Sequence, residues 1–492
     1  MTHGDTDLIG AVRADDAARV RALLEAAADQ AVRAAPHAGR ADGSDPPGAD
    51  TLCVDAPGAE ALGAAALRAD GFDADALGAD GLSALDIAVA RGSYPVVQAL
   101  REHGVRLDRV GPDGRTPLLR AVDAGAYAVT TLLLSSSVPL WPTGPDGRTA
   151  LQLARHWHET GAENELRRRT AATGPAELSR VPDDEYSFTG LLRLPGTGVS
   201  VRTGHTAILC ALEAVHGIRA PFADLLARAE AEADLQGVTR NAAVTVLHTR
   251  ADRATWEEAA ALRPGSRPSV RHFGAEVMRC ISLFDECDKC GTYDERGEGE
   301  GEGEEDGGCA DGPACVTQAT QDLFLRWAAE EPAPEVLAVL LRGLSDCPAL
   351  PRTALAGALL PHVRHPSAVV RRSVAQAFIG CAGEEGVFAE LLGYLGDGDA
   401  EVRAQSCVAL AHRGERSRAV RDALMPLLSD PSVEIRIQAV RALVLLDDPR
   451  GEEALDRLGS GYPEDGPGYW SLYDAYRHLR LRRAAGARDG RG

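Results

Sequence analysis

The chain has 492 residues, 45% apolar and 25% charged, with aromatics at only 4%. That length gives room for about three domains, and abundant Ala, Leu and Val with few aromatics favour helices packed through small residues over a β-rich core. A net charge of −21 argues against nonspecific nucleic-acid binding by the whole molecule, and no apolar run reaches the ~18 residues that would span a bilayer.

Taken in order, residues 5–29 read as a short helix, a turn and a second helix, and 30–50 as a flexible loop rich in Pro, Gly and Asp. A degenerate helical repeat is expected over 51–76. Then Asp80-Gly81, Asp113-Gly114 and Asp146-Gly147 recur 33 residues apart. After one intervening residue, each turn leads into Ser83-Ala84-Leu85, Thr116-Pro117-Leu118 or Thr149-Ala150-Leu151, and three residues past each Leu stands Ala88, Ala121 or Ala154. A fixed period with a turn, a Thr-Pro-Leu-like entry and a small buried Ala marks a helix-pair solenoid. Residues 1–162 resemble ankyrin repeats. The His of that pattern is replaced by Asp86, Leu119 and Gln152, which predicts weaker bracing between hairpins, and the third repeat is expected to dissolve near His156-Trp157-His158.

Residues 163–237 read as a helical junction, patchy to about 203, with two amphipathic helices in 205–235. Leu194-Pro195-Gly196-Thr197-Gly198 is a lone Gly-x-Gly with no strand evident before it. Beyond 238 a second period appears in helix starts of one form. These are Arg267-Pro268-Ser269-Val270-Arg271, His365-Pro366-Ser367-Ala368-Val369-Val370-Arg371, Asp399-Ala400-Glu401-Val402-Arg403 and Ser432-Val433-Glu434-Ile435-Arg436. This stretch, 238–460, resembles HEAT repeats of the short kind seen in phycobilin-lyase-like proteins, interrupted by an insertion at 285–316. Residues 461–492 read as a cap, in which Tyr469, Trp470, Tyr473 and Tyr476 cover the last repeat, followed by an Arg-rich tail.

The insertion concentrates charge and cysteine: residues 284–315 hold twelve acids against Lys289 and Arg296. Cys287 and Cys290 have the two-residue spacing of a zinc knuckle, while Cys309 and Cys315 are looser. The favoured reading is an acidic loop with unligated thiols and no cofactor. A structural zinc on Cys287, Cys290, Cys309 and Cys315 is the alternative. The row Arg271, Arg371, Arg403 and Arg436 either pairs with acids of neighbouring repeats or binds phosphate, since an Arg fork suits both. Arg115 and Arg148 flank the hairpin tips and are candidate contact residues, together with Arg371, Arg403 and Arg436.

No catalytic constellation, Walker A loop or nucleophile elbow occurs. The expectation is an all-α tandem α-solenoid, ankyrin repeats followed by HEAT-like repeats, that acts without catalysis as a cytoplasmic scaffold. Its resemblance to both families implies protein–protein interaction. The partner is an unidentified protein or peptide, with no membrane or nucleic acid involved, and the chain is read as a monomer with reduced cysteines. Alternatives are phosphate or nucleic-acid binding through the arginine row, and a HEAT-type lyase or hydroxylase.

Overall fold

The computed structural model describes residues 3–34, 73–184, 187–232, 234–284, 316–347, 350–414, 416–459 and 468–489. Most of the loop expected at 30–50, nearly all of the degenerate repeat at 51–76, and the cysteine insertion lie outside these residues. Residues 30–34 are helical, not loop. The chain divides into two compact units, 1–246 and 247–492.

The N-terminal unit opens with α1 (His3–Ala14) and α2 (Ala17–Ala34), followed by the pairs α3 (Ala84–Arg91) with α4 (Tyr94–Glu102) and α5 (Pro117–Asp123) with α6 (Tyr127–Ser135). Next come α7 (Ala150–Thr160) and α8 (Ala162–Thr170), so the third repeat stays helical through His156-Trp157-His158. The starts of α3, α5 and α7 are fixed chemically. Ser83, Thr116 and Thr149 are N-caps whose hydroxyls accept from the N–H of Asp86, Leu119 and Gln152. Such a cap is worth about 1 kcal/mol. Asp86 and Gln152 return the bond and complete capping boxes.

Residues 163–237 are not wholly helical. β1 (Glu177–Pro182), β2 (Phe188–Leu194) and β3 (Val199–Arg202) form an antiparallel sheet in the order β1-β2-β3. The Gly-x-Gly segment is the β2–β3 hairpin turn, with Gly196 and Gly198 at φ of 83° and 69°. It therefore does follow a strand, but it leads into another strand instead of a helix, so it offers no phosphate cradle. After the sheet, α9 (His205–Val215) stacks on α7 as α7 stacks on α5 and α5 on α3. The sheet is thus inserted between two members of one helix stack. α10 (Phe222–Glu230) and α11 (Val238–His248) follow. One core runs from Leu8 through Leu100, Leu133 and Trp157 to Leu212.

The C-terminal unit contains α12 (Arg253–Ala260), α13 (Pro268–Leu283), α14 (Val316–Ala328), α15 (Pro334–Ser345) and α16 (Arg352–Leu359). It continues with α17 (Ala368–Cys381), α18 (Val387–Tyr394), α19 (Ala400–Arg413), α20 (Arg418–Leu424), α21 (Val433–Leu445), α22 (Pro449–Gly459) and α23 (Tyr469–Asp489). Here α13, α15, α17, α19, α21 and α23 stack in series. The starts of α17, α19 and α21 follow Ser367, Asp399 and Ser432, and α13 and α15 open on Pro268 and Pro334. At α19 the Asp399 carboxylate accepts from the N–H of Glu401 and Val402. Both units follow the all-α solenoid plan, with the small sheet as its only strands among the described residues. No described helix is long and apolar enough to cross a membrane.

Candidate functional site

The three Asp-Gly turns are built alike. Gly81, Gly114 and Gly147 each take φ of 75°, in the left-handed region. Each Asp carboxylate accepts from the N–H two residues on, at 3.3 Å for Asp80 to Leu82, 3.1 Å for Asp113 to Arg115 and 3.2 Å for Asp146 to Arg148. The result is a row of identical fingers. Along it stand exposed apolar side chains: Leu77 and Val110 at equivalent positions, and Trp141 two residues before the third. Val110 is 58% and Trp141 77% exposed.

The bracing expected to weaken without His comes from elsewhere. Arg120 Nε lies 3.1 Å from the Asp86 carboxylate of the preceding repeat, and its Nη2 donates to Asp113 at 2.6 Å. One guanidinium thus ties α5 to the start of α3 and to the Asp113 finger. Arg148 pairs with Asp146 in its own turn at 3.0 Å. Arg115 reaches back along α5 to Asp123, also at 3.0 Å.

Asp123 is the centre of the unit's polar network. Arg169 donates to both of its oxygens at 2.7 and 2.9 Å, and the Trp157 indole N–H donates at 3.0 Å. Arg169 also lies over the Trp157 ring at 4.5 Å and donates to the buried Glu165 at 2.8 Å. His205 also stacks on Trp157, centroids 4.2 Å apart. Burial pushes the Asp123 carboxyl up, but the Arg169 fork, with Arg115 and Trp157, more than offsets this and holds it below its ordinary value. The Arg168 fork, working against burial and helped by Arg169, holds Glu165 at about 2. A cleft of about 230 Å³ opens beside this network, lined by Arg115, Arg120, Asp123, Trp157, Arg169 and Ser200. Its charges are already paired, so it offers recognition surface more than a reactive group.

The sheet is locked to the same repeats. Asp183, after β1, accepts from the N–H of Ala128 at 2.6 Å and so caps α6, whose own N-cap Ala126 has no side chain to do it. Arg202 N–H donates to the carbonyl of Ala124 at 3.0 Å.

Two titrations here oppose each other. Burial raises Asp183 from 3.8 to about 6, against the Ala128 N–H and Arg202, so its contribution is present below 3.8 and lost as pH rises through 6. Burial lowers His205 from 6.5 to about 4, so its contribution is present above 6.5 and lost as pH falls through 4. Their slopes nearly cancel between pH 4 and 6. Asp183→Asn should expose the His205 limb: stability of the N-terminal unit, read by urea denaturation, then rises with pH over this window, where the parent is nearly flat. A flat profile in the variant would refute the assignment.

In the C-terminal unit the arginine row closes on its own chain. Arg371 donates twice to Asp397 at 2.9 and 3.0 Å, and Arg403 twice to Asp430 at 2.9 and 3.2 Å. Arg271 does the same to Glu331 at 3.0 and 2.7 Å. The remaining Nη1 of each donates to a carbonyl before its own helix, and Arg436 Nη1 likewise reaches Asp430 O and Pro431 O at 2.7 and 3.1 Å. Each of the three paired arginines joins successive repeats through a bidentate bridge, and phosphate would have to displace a carboxylate that is already bound.

Cys287, Cys290, Cys309 and Cys315 lie outside the described residues. Among the described ones, no group of His, Cys, Asp and Glu could hold a metal ion. The Asp123 network was not foreseen, because Trp157 and Arg169 are 34 and 46 residues away and meet Asp123 only when the helices stack. The nearest sequence signal was Trp157 itself.

A family model described as ankyrin repeats, many copies, matches residues 85–134, and one described as HEAT repeats matches 388–467. The chain carries ankyrin repeats in its N-terminal part and HEAT repeats in its C-terminal part; the second match names no closer subtype. Among solved structures, the chain is similar to YibA of Escherichia coli at 16% identity over 53% of this chain and 82% of that one, with a TM-score of 0.39. It is also similar to an engineered protein at 13% identity over 98% and 99%, with a TM-score of 0.33. No curated protein matches the chain.

Proposed function

We propose that this protein is a non-catalytic scaffold that holds a protein or peptide partner along its ankyrin fingers. The observation that carries the reading is the exposed apolar row Leu77, Val110 and Trp141, with Trp141 projecting 77% of its surface into solvent. A monomeric surface exposes contiguous apolar groups at a cost, and aromatic anchors dominate binding energy where they become buried. Repeats of both types present long surfaces that suit grasping a polypeptide, and domains of these kinds typically lack catalysis. The arginine row has no part in this reading, because Arg271, Arg371 and Arg403 have their forks on acids of their own chain. The reading places the protein in the cytoplasm as a monomer.

The test is retention of partners by the immobilised full chain, compared with the double variant Trp141→Ala, Val110→Ser. Both side chains are exposed and the fold should not change. Loss of a specific partner in the variant supports the reading, and unchanged retention refutes it.

A further inference from the structure

Of the aromatic residues expected to cover the last HEAT repeat, Tyr476 reaches it, its hydroxyl donating to Leu455 O at 3.5 Å, but Trp470 and Tyr473 face away. The face of α23 that packs on α21 is Leu472, Ala475 and Leu479, set against Ile437, Val440, Val444 and Leu455. Trp470 is 75% exposed, Tyr473 43% and Leu481 61%. With Arg477 and Arg480, both exposed, they form a stripe at helical spacing along the opposite flank. Trp470 and Tyr473 meet edge to face at 5.8 Å, and the Arg480 guanidinium lies 5.8 Å from the Tyr473 ring centre.

The charges on this flank also stand apart from the rest of the helix. Arg482 is held by Asp447 at 3.0 Å and by Glu452, and Arg483 lies 3.7 Å from Glu452. Asp474 is taken by Arg441 at 2.7 Å. Arg477 and Arg480 make no ion pair among the described residues. Two unpaired guanidinium groups therefore sit between exposed apolar side chains. In the stack, α17, α19 and α21 each have a neighbour on both sides, whereas α23 has one on the α21 side only among the described residues. The open flank is where a further helix would lie in a solenoid.

We propose that this stripe docks an acidic amphipathic helix from a partner protein. Its apolar residues would cover Trp470, Tyr473 and Leu481, and its carboxylates would take the forks of Arg477 and Arg480. The stripe from Trp470 to Leu481 spans about 16 Å, the length of three helical turns, and helices bind such faces through anchors spaced i, i+3, i+4 and i+7. A nucleic acid fits less well, since binding through phosphates needs on the order of six to ten contacts to become strong at physiological salt. A second copy fits less well too. A two-fold axis through the middle of the stripe would set Arg477 against Arg477 of the other copy.

The experiment uses the full chain and a fluorescein-labelled synthetic peptide about three helical turns long, with leucine and phenylalanine on one face and glutamate elsewhere. Anisotropy should rise saturably. Trp470→Ala, and separately Arg477→Glu with Arg480→Glu, should each weaken binding at least tenfold, with helical circular dichroism and melting unchanged. The ankyrin-finger variant Trp141→Ala, Val110→Ser should bind the peptide as the parent does, which separates this site from the finger reading. The proposal is overturned if the peptide does not bind saturably, or if its lysine-for-glutamate counterpart binds as well. It is equally overturned if oligothymidylate or anionic phosphatidylserine vesicles bind more tightly at the same residues, or if the chain self-associates through them in sedimentation.

Discussion

Asp123→Ala is expected to destabilise the N-terminal unit by about 3–5 kcal/mol, the range for removing one partner of a buried charge network. Asp123 is only 13% exposed in its side chain, and its two oxygens accept from Arg169, Trp157 and Arg115. Removing it leaves the Arg169 fork with Glu165 in place of two acids and deprives the Trp157 indole N–H of its acceptor, beside the Trp157–His205 stack. Arg148→Ala is the matched control. Its pair with Asp146 is exposed on both sides, 38% each, and such pairs contribute less than about 1 kcal/mol. Hydrogen-exchange protection of α5 and α7 in the full chain reads both variants. If Asp123→Ala loses no more protection than Arg148→Ala, the network is not what holds these helices together.

Gly125→Ala should be nearly as damaging, for a different reason. Gly125 sits at φ of 66°, where an alanine is strained, and a methyl there would overlap the Arg202 carbonyl and lie 2.7 Å from the His205 ring. The backbone of β3 comes this close because Arg202 N–H donates to Ala124. Left-handed strain on alanine costs about 1 kcal/mol, and forcing apart a packed contact adds about 1–3 kcal/mol. Gly147→Ala isolates the first effect. It has φ of 75° and nothing within 4 Å of the added methyl, so a loss of about 1 kcal/mol is expected. Equal melting shifts for the two variants would mean that the sheet is not docked on the α5–α6 loop.

The helix starts were legible because their chemistry is local. A hydroxyl cap, an Asp-Gly turn or a Pro-Ser entry acts within four residues, and the 33-residue period repeats it. The partners of Arg371 and Arg403 were half legible, since Asp397 and Asp430 stand at the next repeat start and were available to them. The sheet was not legible. Its strands run six, seven and four residues, and Pro182 and Pro195 at their ends suppressed the alternation that would reveal them. His156 and His158 do diverge as their spacing implies: one meets Glu165 at 3.2 Å, the other Thr206 at 2.9 Å. Yet Trp157 between them anchors contacts that span tens of residues, and no local pattern encodes those. On α23 the near-helical spacing of aromatics was visible, but not which face would point inward. Leu472, Ala475 and Leu479 fill the inner face with smaller side chains and leave Trp470 and Tyr473 outside.

The central claim is that the finger row is a binding surface. It is tested most directly by the affinity of a partner retained by the full chain for Trp141→Ala, Val110→Ser relative to the parent. Truncating an anchoring aromatic at an interface removes about 2 kcal/mol or more, so affinity should fall at least tenfold, through faster dissociation, while melting is unchanged. An affinity within twofold of the parent would contradict the claim.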